Sequence, residues 1–227
     1  ELIKAAKVLD LDTQYLYRSQ DLPTDQYMAI EGSNGLIAAI ADAHSLEAAG
    51  DKILRPLEDG RLGTAERPFV GLIALDGNLT VGLLAQIATS PLFSRSDLRI
   101  APASPSKAER LLPLLGHTGA TLYVNVEEAG LLCQTEFYDA QTAAQSLIAR
   151  GANRALVTHG PKSAALADEQ NCDTAAPPTV MASRVTGAGD TFMAAHIAAE
   201  LRGQRGVAAL QFASNAAAAY VSGKSEG

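Results

Sequence analysis

The residues best suited to chemistry lie in Arg184-Val-Thr-Gly-Ala-Gly-Asp-Thr-Phe-Met193. Three small residues, Gly187, Ala188 and Gly189, end a β-branched approach and precede Asp190. The alanine-rich run from Thr191 to Leu201 then reads as a helix. Small residues ahead of a helix leave backbone N–H groups uncovered, and the helix N-terminus adds partial positive charge, so the stretch is a cradle for an anion. A carboxylate beside a phosphate cradle is electrostatically unfavourable unless it has a task. The task open to Asp190 is to take a proton from a hydroxyl that attacks a phosphoryl group. The competing reading makes Asp190 a helix cap after a glycine turn. Spacing alone does not choose between them.

Two further groups carry polar side chains at the ends of apolar runs. Asn125-Val-Glu-Glu128 follows Thr121–Val124 and opens a helix. Asn125 and Glu128 have the spacing of a capping box. Alternatively, Asn125 sits near nucleotide phosphates and Glu128 holds a hydrated Mg²⁺, an ion that keeps several of its waters; Glu127 points off the face that Glu128 uses. Thr158-His159-Gly160 ends another apolar run, where Gly160 admits close backbone approach and Thr158 offers a hydroxyl, or where the three simply make a strand end and a turn. His159 reads as an incidental loop residue, and Lys107, at a helix start, as a solvated cation rather than a ligand for an anion. The chain has no GxxxxGK[ST], no GxGxxG after a first strand and no GxSxG, which disfavours P-loop NTPases, simple dinucleotide enzymes and serine hydrolases.

The totals narrow the classes further. With 227 residues and 47% apolar content the chain suits one large domain, or one with a small appendage. A net charge of −7 argues against nucleic-acid and anionic-membrane partners, so phosphate chemistry has to come from backbone dipoles and a metal. Cys133 and Cys172 fit no metal or CxxC spacing, which suggests a reducing compartment. No stretch is long and apolar enough to span a membrane and none resembles a signal peptide, so a cytoplasmic protein is expected. Glu1 opens the chain in helix-like sequence, from which we expect an N-terminal portion to precede it.

The elements that must position these groups follow in order. Residues 1–8 read as a helix and Gln14–Arg18 as a short strand. Tyr27–Ile30 and Leu36–Ile40 are apolar strands flanking Gly32-Ser-Asn-Gly35, a hairpin whose apolar ribbon suits a lid or an interface. From about residue 46 helices and strands alternate. Helices are expected at Glu47–Leu57, Thr80–Thr89, Lys107–Leu115, Glu127–Cys133, Ala140–Ala149, Thr191–Leu201 and Val207–Val221. Strands are expected at Phe69–Leu75, Leu98–Ala101, Thr121–Val124, Ala155–Thr158 and Ser163–Ala167, with Asn171–Thr179 a polar loop. This alternation predicts an α/β fold with a mostly parallel sheet flanked by helices, divided into residues 1–45 and 46–227. In such sheets ligands gather at the carboxyl ends of the strands, where Asp76 and Asn78, Asn125 and Glu128, Thr158 and Gly160, and Gly187–Asp190 all fall.

Taken together, these motifs resemble the PfkB/ribokinase family of sugar and nucleoside kinases. Val185-Thr-Gly-Ala-Gly-Asp-Thr-Phe192 is close to the family signature D-T-x-G-A-G-D-x-F, Asn125–Glu128 matches N-x-x-E, and Leu156-Val-Thr-His-Gly160 matches a strand ending T-x-G. Order and spacing agree from about residue 10 to 222. Ala74-Leu-Asp-Gly-Asn-Leu79 and Ala103-Ser-Pro-Ser-Lys-Ala-Glu-Arg-Leu111 are similar to the pseudouridine-kinase branch. The resemblance implies a ribokinase-like (Rossmann-like) fold with a β-hairpin lid, and ATP and Mg²⁺ as cofactors. It implies Asp190 as the base on a sugar hydroxymethyl, with the Gly187, Ala188 and Gly189 N–H groups on the transferring phosphoryl. Asn125 and, through water, Glu128 would serve triphosphate and metal; Thr158 and Gly160 would border the nucleotide; Asn215 would lie near the adenine. The lid would support a homodimer. A non-catalytic nucleotide-binding relative and a hydroxymethylpyrimidine-type kinase are the alternatives. Three departures stand out: the family's N-terminal substrate-binding Asp and Gly-Gly pair do not occur in this sequence, Arg184 replaces an acidic or amide residue that helps hold a monovalent cation in relatives, and Ser163 replaces a second Gly.

Overall fold

Three of the four strand-end motifs share one rim of a single sheet. In the computed structural model, which describes residues 1–32 and 35–223, a six-stranded sheet runs in the order β3-β4-β5-β6-β7-β8. Its strands are β3 (Leu72–Asp76), β4 (Asp97–Ala101), β5 (Ala120–Asn125), β6 (Arg154–His159), β7 (Lys162–Asp168) and β8 (Cys172–Ala175). The pairs β3–β4, β4–β5 and β5–β6 are parallel, whereas β6–β7 and β7–β8 are antiparallel. The parallel strands are short apolar runs, as strands covered on both faces must be. Asn125 and Thr158 are register partners at the carboxyl ends of β5 and β6.

Helices cover both faces. On one side lie α4 (Val81–Thr89), a 3-10 run over Pro105–Leu114, α5 (Val126–Cys133) and α6 (Ala140–Ala149). Leu84, Ile87, Leu111, Leu132 and Leu147 from these elements pack on Leu98, Ile100, Leu122, Val124 and Val157. On the other side α7 (Ala188–Leu201) and α8 (Gly206–Val221) set Phe192, Leu210 and Ala213 against Tyr123, Leu156, Ala164 and Leu166. Strand side chains alternate between faces. At the ends of β5 and β6 the alternation gives way: Asn125 caps α5, and the pairing of β6 with β7 shifts register between Val157 and His159.

The start of the chain holds α1 (Leu2–Val8) and the antiparallel hairpin β1 (Tyr27–Gly32) with β2 (Gly35–Ala41), a separate two-stranded sheet. The expected hairpin is present; its turn residues Ser33 and Asn34 lie outside the described residues. Tyr27, Met28, Ile30, Ile37 and Ile40 are all exposed, and Tyr27 and Met28 are neighbours that face opposite ways. Both faces of the ribbon are thus apolar and uncovered.

Several expectations about elements are corrected. Gln14–Arg18 forms no strand. Glu47–Leu57 is broken into α2 (His44–Ala49), a 3-10 turn and α3 (Arg55–Glu58), because Gly50 takes a left-handed φ of 56°. The expected helix Lys107–Leu115 is instead a 3-10 run over Pro105–Leu114 with Pro113 inside it, since proline has no N–H to donate. The polar loop Asn171–Thr179 contains β8. The remaining helices and strands fall within a few residues of expectation.

Candidate active site

Gly187 begins α7 as its N-cap with φ 89°, a left-handed conformation that glycine adopts without steric cost. A Cβ there would stand 2.6 Å from the Tyr220 hydroxyl. That hydroxyl donates to the Thr186 carbonyl at 2.9 Å, while the Thr191 N–H and Oγ1 donate to the Gly187 carbonyl at 2.9 and 2.8 Å. Of the three N–H groups expected to form the cradle, that of Ala188 is already bonded to the Val185 carbonyl at 3.1 Å. The N–H groups of Gly187, Gly189 and Asp190 have no acceptor among the described residues. A Cβ on Gly189 would meet open space, so that backbone is approachable. Asp190 is exposed, is the third residue of the helix rather than its cap, and its carboxylate makes no hydrogen bond or ion pair with the described residues. The cap reading of Asp190 is therefore set aside.

Tyr220, on the last turn of α8, buttresses this turn. Arg184 lies over its ring, with the guanidinium carbon 3.9 Å from the centroid, and donates from Nε to the Tyr220 carbonyl at 3.0 Å. The Ser183 N–H and Arg184 N–H both donate to the Val221 carbonyl, at 2.7 and 3.3 Å. The end of α8 thus grips the segment that leads into the turn.

Asn125 and Glu128 form a complete capping box at the start of α5. The Glu128 N–H donates to Asn125 Oδ1 at 2.9 Å and the Asn125 N–H to Glu128 Oε2 at 2.8 Å. Glu128 is buried, and burial pushes its pKa up against the backbone hydrogen bond from Asn125; the neighbouring Glu127 charge adds to the rise. No group of three or more His, Cys, Asp or Glu among the described residues is arranged to hold a metal. A hydrated Mg²⁺ requires less, one carboxylate oxygen and the phosphates, and Glu128 Oε1 is the oxygen the capping box leaves free.

Asn125, Thr158 and Gly160 line one cleft of about 870 Å³, together with Glu109, Glu127 and Glu136. Gly160, φ 54°, takes the first place of the tight Gly160-Pro161 turn between β6 and β7. His159 lines the cleft, its Nδ1 buried and without a hydrogen-bond partner among the described residues. Asn215 does not line the cleft; it is exposed on α8 and accepts from Gln211 Nε2 at 2.9 Å.

Sequence reading missed two polar clusters. Lys107 is not simply solvated: its ammonium donates to Asn78 Oδ1, and Asn78 donates through N–H and Nδ2 to the two Asp76 oxygens, both at 2.8 Å. Arg110 reaches the carbonyls of Gly77, Asn78 and Leu79. The loops after β3 and β4 are therefore knitted into one unit at the active rim. The second cluster lies below α7. Glu200, in its last turn, accepts from Arg99 Nη1 at 2.5 Å and Arg154 Nη2 at 2.6 Å. Arg99 also bridges both Asp97 oxygens at 2.7 Å and donates to the Tyr123 hydroxyl at 2.8 Å, which contacts His196 Nδ1 at 2.9 Å. Burial pushes Glu200 up, but its hydrogen bonds from Arg154 and Arg99 win and hold it down at about 2. Burial lowers His196 to about 4, with the Arg154 and Arg99 charges reinforcing the shift and Glu200 opposing it. Members of this cluster are dispersed along the sequence with no local motif; only an apolar strand interrupted by an arginine, as at Leu98-Arg99-Ile100, hints at it.

A model of the pfkB family carbohydrate kinases matches residues 1–227. Among solved structures, a carbohydrate kinase from Agrobacterium tumefaciens is 25% identical at a TM-score of 0.73, over 96% of this chain and 68% of that one. A ribokinase from Thermotoga maritima gives 0.76 at 19% identity, over 100% and 71%. The ribokinase of Arabidopsis thaliana, solved in complex with ribose and ATP, gives 0.67 at 20% identity, over 90% and 64%. No curated protein matches the chain.

Proposed function

Because the chain belongs to the pfkB family of carbohydrate kinases, we propose that it transfers the terminal phosphoryl group of ATP to a hydroxymethyl group of a sugar or nucleoside, with the 5′-hydroxyl of pseudouridine as the favoured acceptor. The observation that carries this reading is the α7 turn, where the open N–H groups of Gly187 and Gly189 stand beside the unpaired carboxylate of Asp190. Asp190 takes the proton of the attacking hydroxyl, and the N–H groups with the α7 dipole stabilise charge on the equatorial oxygens of the phosphoryl in flight. The Arabidopsis ribokinase complex supports ATP as donor. Asn125, Thr158 and Gly160 border the nucleotide, Asn215 lies toward its base, and Glu128 receives Mg²⁺ through water; the ion, when bound, neutralises phosphate charge. Pseudouridine is supported by Ala74–Leu79 and Ala103–Leu111, whose Asn78 and Lys107 join at the active rim.

The same reading assigns residues 1–45 to a lid region and 46–227 to the nucleotide-binding and catalytic region. A second copy of the chain covers the apolar hairpin. Free Cys133 and Cys172 suit the cytoplasm. The test is ATP-dependent phosphorylation of pseudouridine, ribose, adenosine and fructose phosphates. Pseudouridine should be turned over fastest, and Asp190→Asn should lower kcat about 10³-fold while ATP binding persists. A variant with near-full activity would remove Asp190 as the base, and a faster sugar would replace the acceptor.

A further inference from the structure

Helix α7 meets the core through a mixture of apolar and polar side chains. Its buried positions are Phe192, His196, Ala199 and Glu200, and Met193, Ala195 and Ile197 pack on the same core half-buried. Two of its four buried positions are polar. Arg99 of β4, Tyr123 of β5 and Arg154 of β6 converge on His196 and Glu200, one turn apart. Arg99 and Glu200 have side chains only 7% and 8% exposed. Such a cluster is a poor choice for stability alone, because apolar residues of similar volume commonly do as well or better.

We propose that Glu200, held by Arg99 and Arg154 and backed by the Tyr123–His196 pair, is a positioning residue that sets the register of α7 on the sheet and so places the Gly187–Asp190 turn. This rests on the assignment of that turn to phosphoryl transfer. From Gly187 to Glu200 the helix spans roughly 20 Å at about 1.5 Å per residue. A helix transmits displacement as a rod, so a shift where Glu200 is held reappears at the turn. Misplacement of catalytic groups by about 1 Å costs on the order of 10²-fold in rate. The carboxylate suits the task because two guanidinium groups from strands on either side of β5 meet its two oxygens separately, which fixes both sliding and rotation.

The experiment compares the full chain with Arg99→Met/Glu200→Leu, which replaces the ion pair by apolar volume, and with Glu200→Gln, which keeps length and one acceptor oxygen. Asp97 and Arg154 reach solvent at 44% and 20% exposure and need no replacement. Positioning predicts that the double variant keeps or raises Tm, loses at least tenfold in kcat, and changes KM for ATP and acceptor less than twofold. Glu200→Gln should stay within about threefold of the parent kcat. Amide hydrogen exchange at Ala188 and Thr191, the hydrogen-bonded amides of the turn, should quicken about tenfold in the double variant, with β5 and β6 amides unaffected. A double variant with parental kcat and exchange, or a kcat loss that merely follows a loss of Tm, overturns the proposal. Asp190→Asn run beside it separates the two ideas. If that variant stays active, the catalytic assignment fails and the exchange data alone judge the register; if it is inactive while the double variant is not, the register proposal fails alone.

Discussion

At Gly187 and Gly189 the same substitution has opposite structural consequences. Alanine at Gly187 is forced into a left-handed φ and toward the Tyr220 hydroxyl, which costs about 1–3 kcal/mol. We expect Gly187→Ala to lower Tm by several degrees and kcat by more than tenfold. Alanine at Gly189 enters open space in the first turn of a helix, where it stabilises by roughly 0.5–1 kcal/mol. Gly189→Ala should therefore raise Tm yet lower kcat, because its methyl occupies the ligand's approach; thermal melts beside steady-state kinetics check both. Arg184 stacks on Tyr220 and donates to its carbonyl, so a cation already occupies this corner. We expect kcat to change less than twofold when K⁺ replaces tetramethylammonium; a many-fold rise would refute this. The glycines and Asp190 were legible because their chemistry depends on neighbours in sequence. Tyr220, 34 residues from Thr186, could not be read, because only the packing of α8 brings it there.

Helix α7 is held at its lower end by groups that resist protonation, which ties its seating to acidity. Glu200 sits at about 2, below the ordinary 4.5, and His196 at about 4, below the ordinary 6.5. In both cases the unfolded chain takes up protons that the native state refuses. Their stabilisation is full above the unfolded values and is lost as pH falls through the folded ones. Tm should drop from pH 6.5 toward 4 through His196, and further below 4.5 through Glu200. His196→Gln, still able to accept from Tyr123, should flatten the first segment, leaving the smaller share of His117, which burial also lowers. An unchanged slope would show that His196 is not the group responsible. The elements themselves were legible where burial made them continuous apolar runs, as in β5. They were obscured where context overrode composition: β8 is four residues of largely polar sequence that pairs only at the edge of β7, and Gly50 breaks a run whose apolar spacing suits one helix.

Across the whole molecule, the rim of the sheet carries the candidate chemistry, the opposite rim carries the anchorage, and the hairpin presents bare apolar surface. Met28, Ile37 and Ile40 are 63%, 72% and 71% exposed, an arrangement that calls for a cover. We expect the protein to sediment as a dimer at micromolar concentration and Met28→Lys/Ile37→Lys as a monomer. A parent that stays monomeric at tens of micromolar would assign the ribbon to another occupant. The fold class followed from alternation of elements, whereas no sequence pattern disclosed which helix face would meet which strand.

The Tyr123–Arg99 contact also gives the protein an optical signature. The chain has no tryptophan and six tyrosines, so phenol groups dominate its near-ultraviolet absorbance. Burial pushes the Tyr123 phenol up to about 12, against the opposing pull of Arg99, whereas a free phenol ionises near 10. In an alkaline titration Tyr123 should withhold its share of the phenolate absorbance to about pH 12 while α7 stays seated, so that earlier release of that share reports, without any label, that the helix has left the sheet.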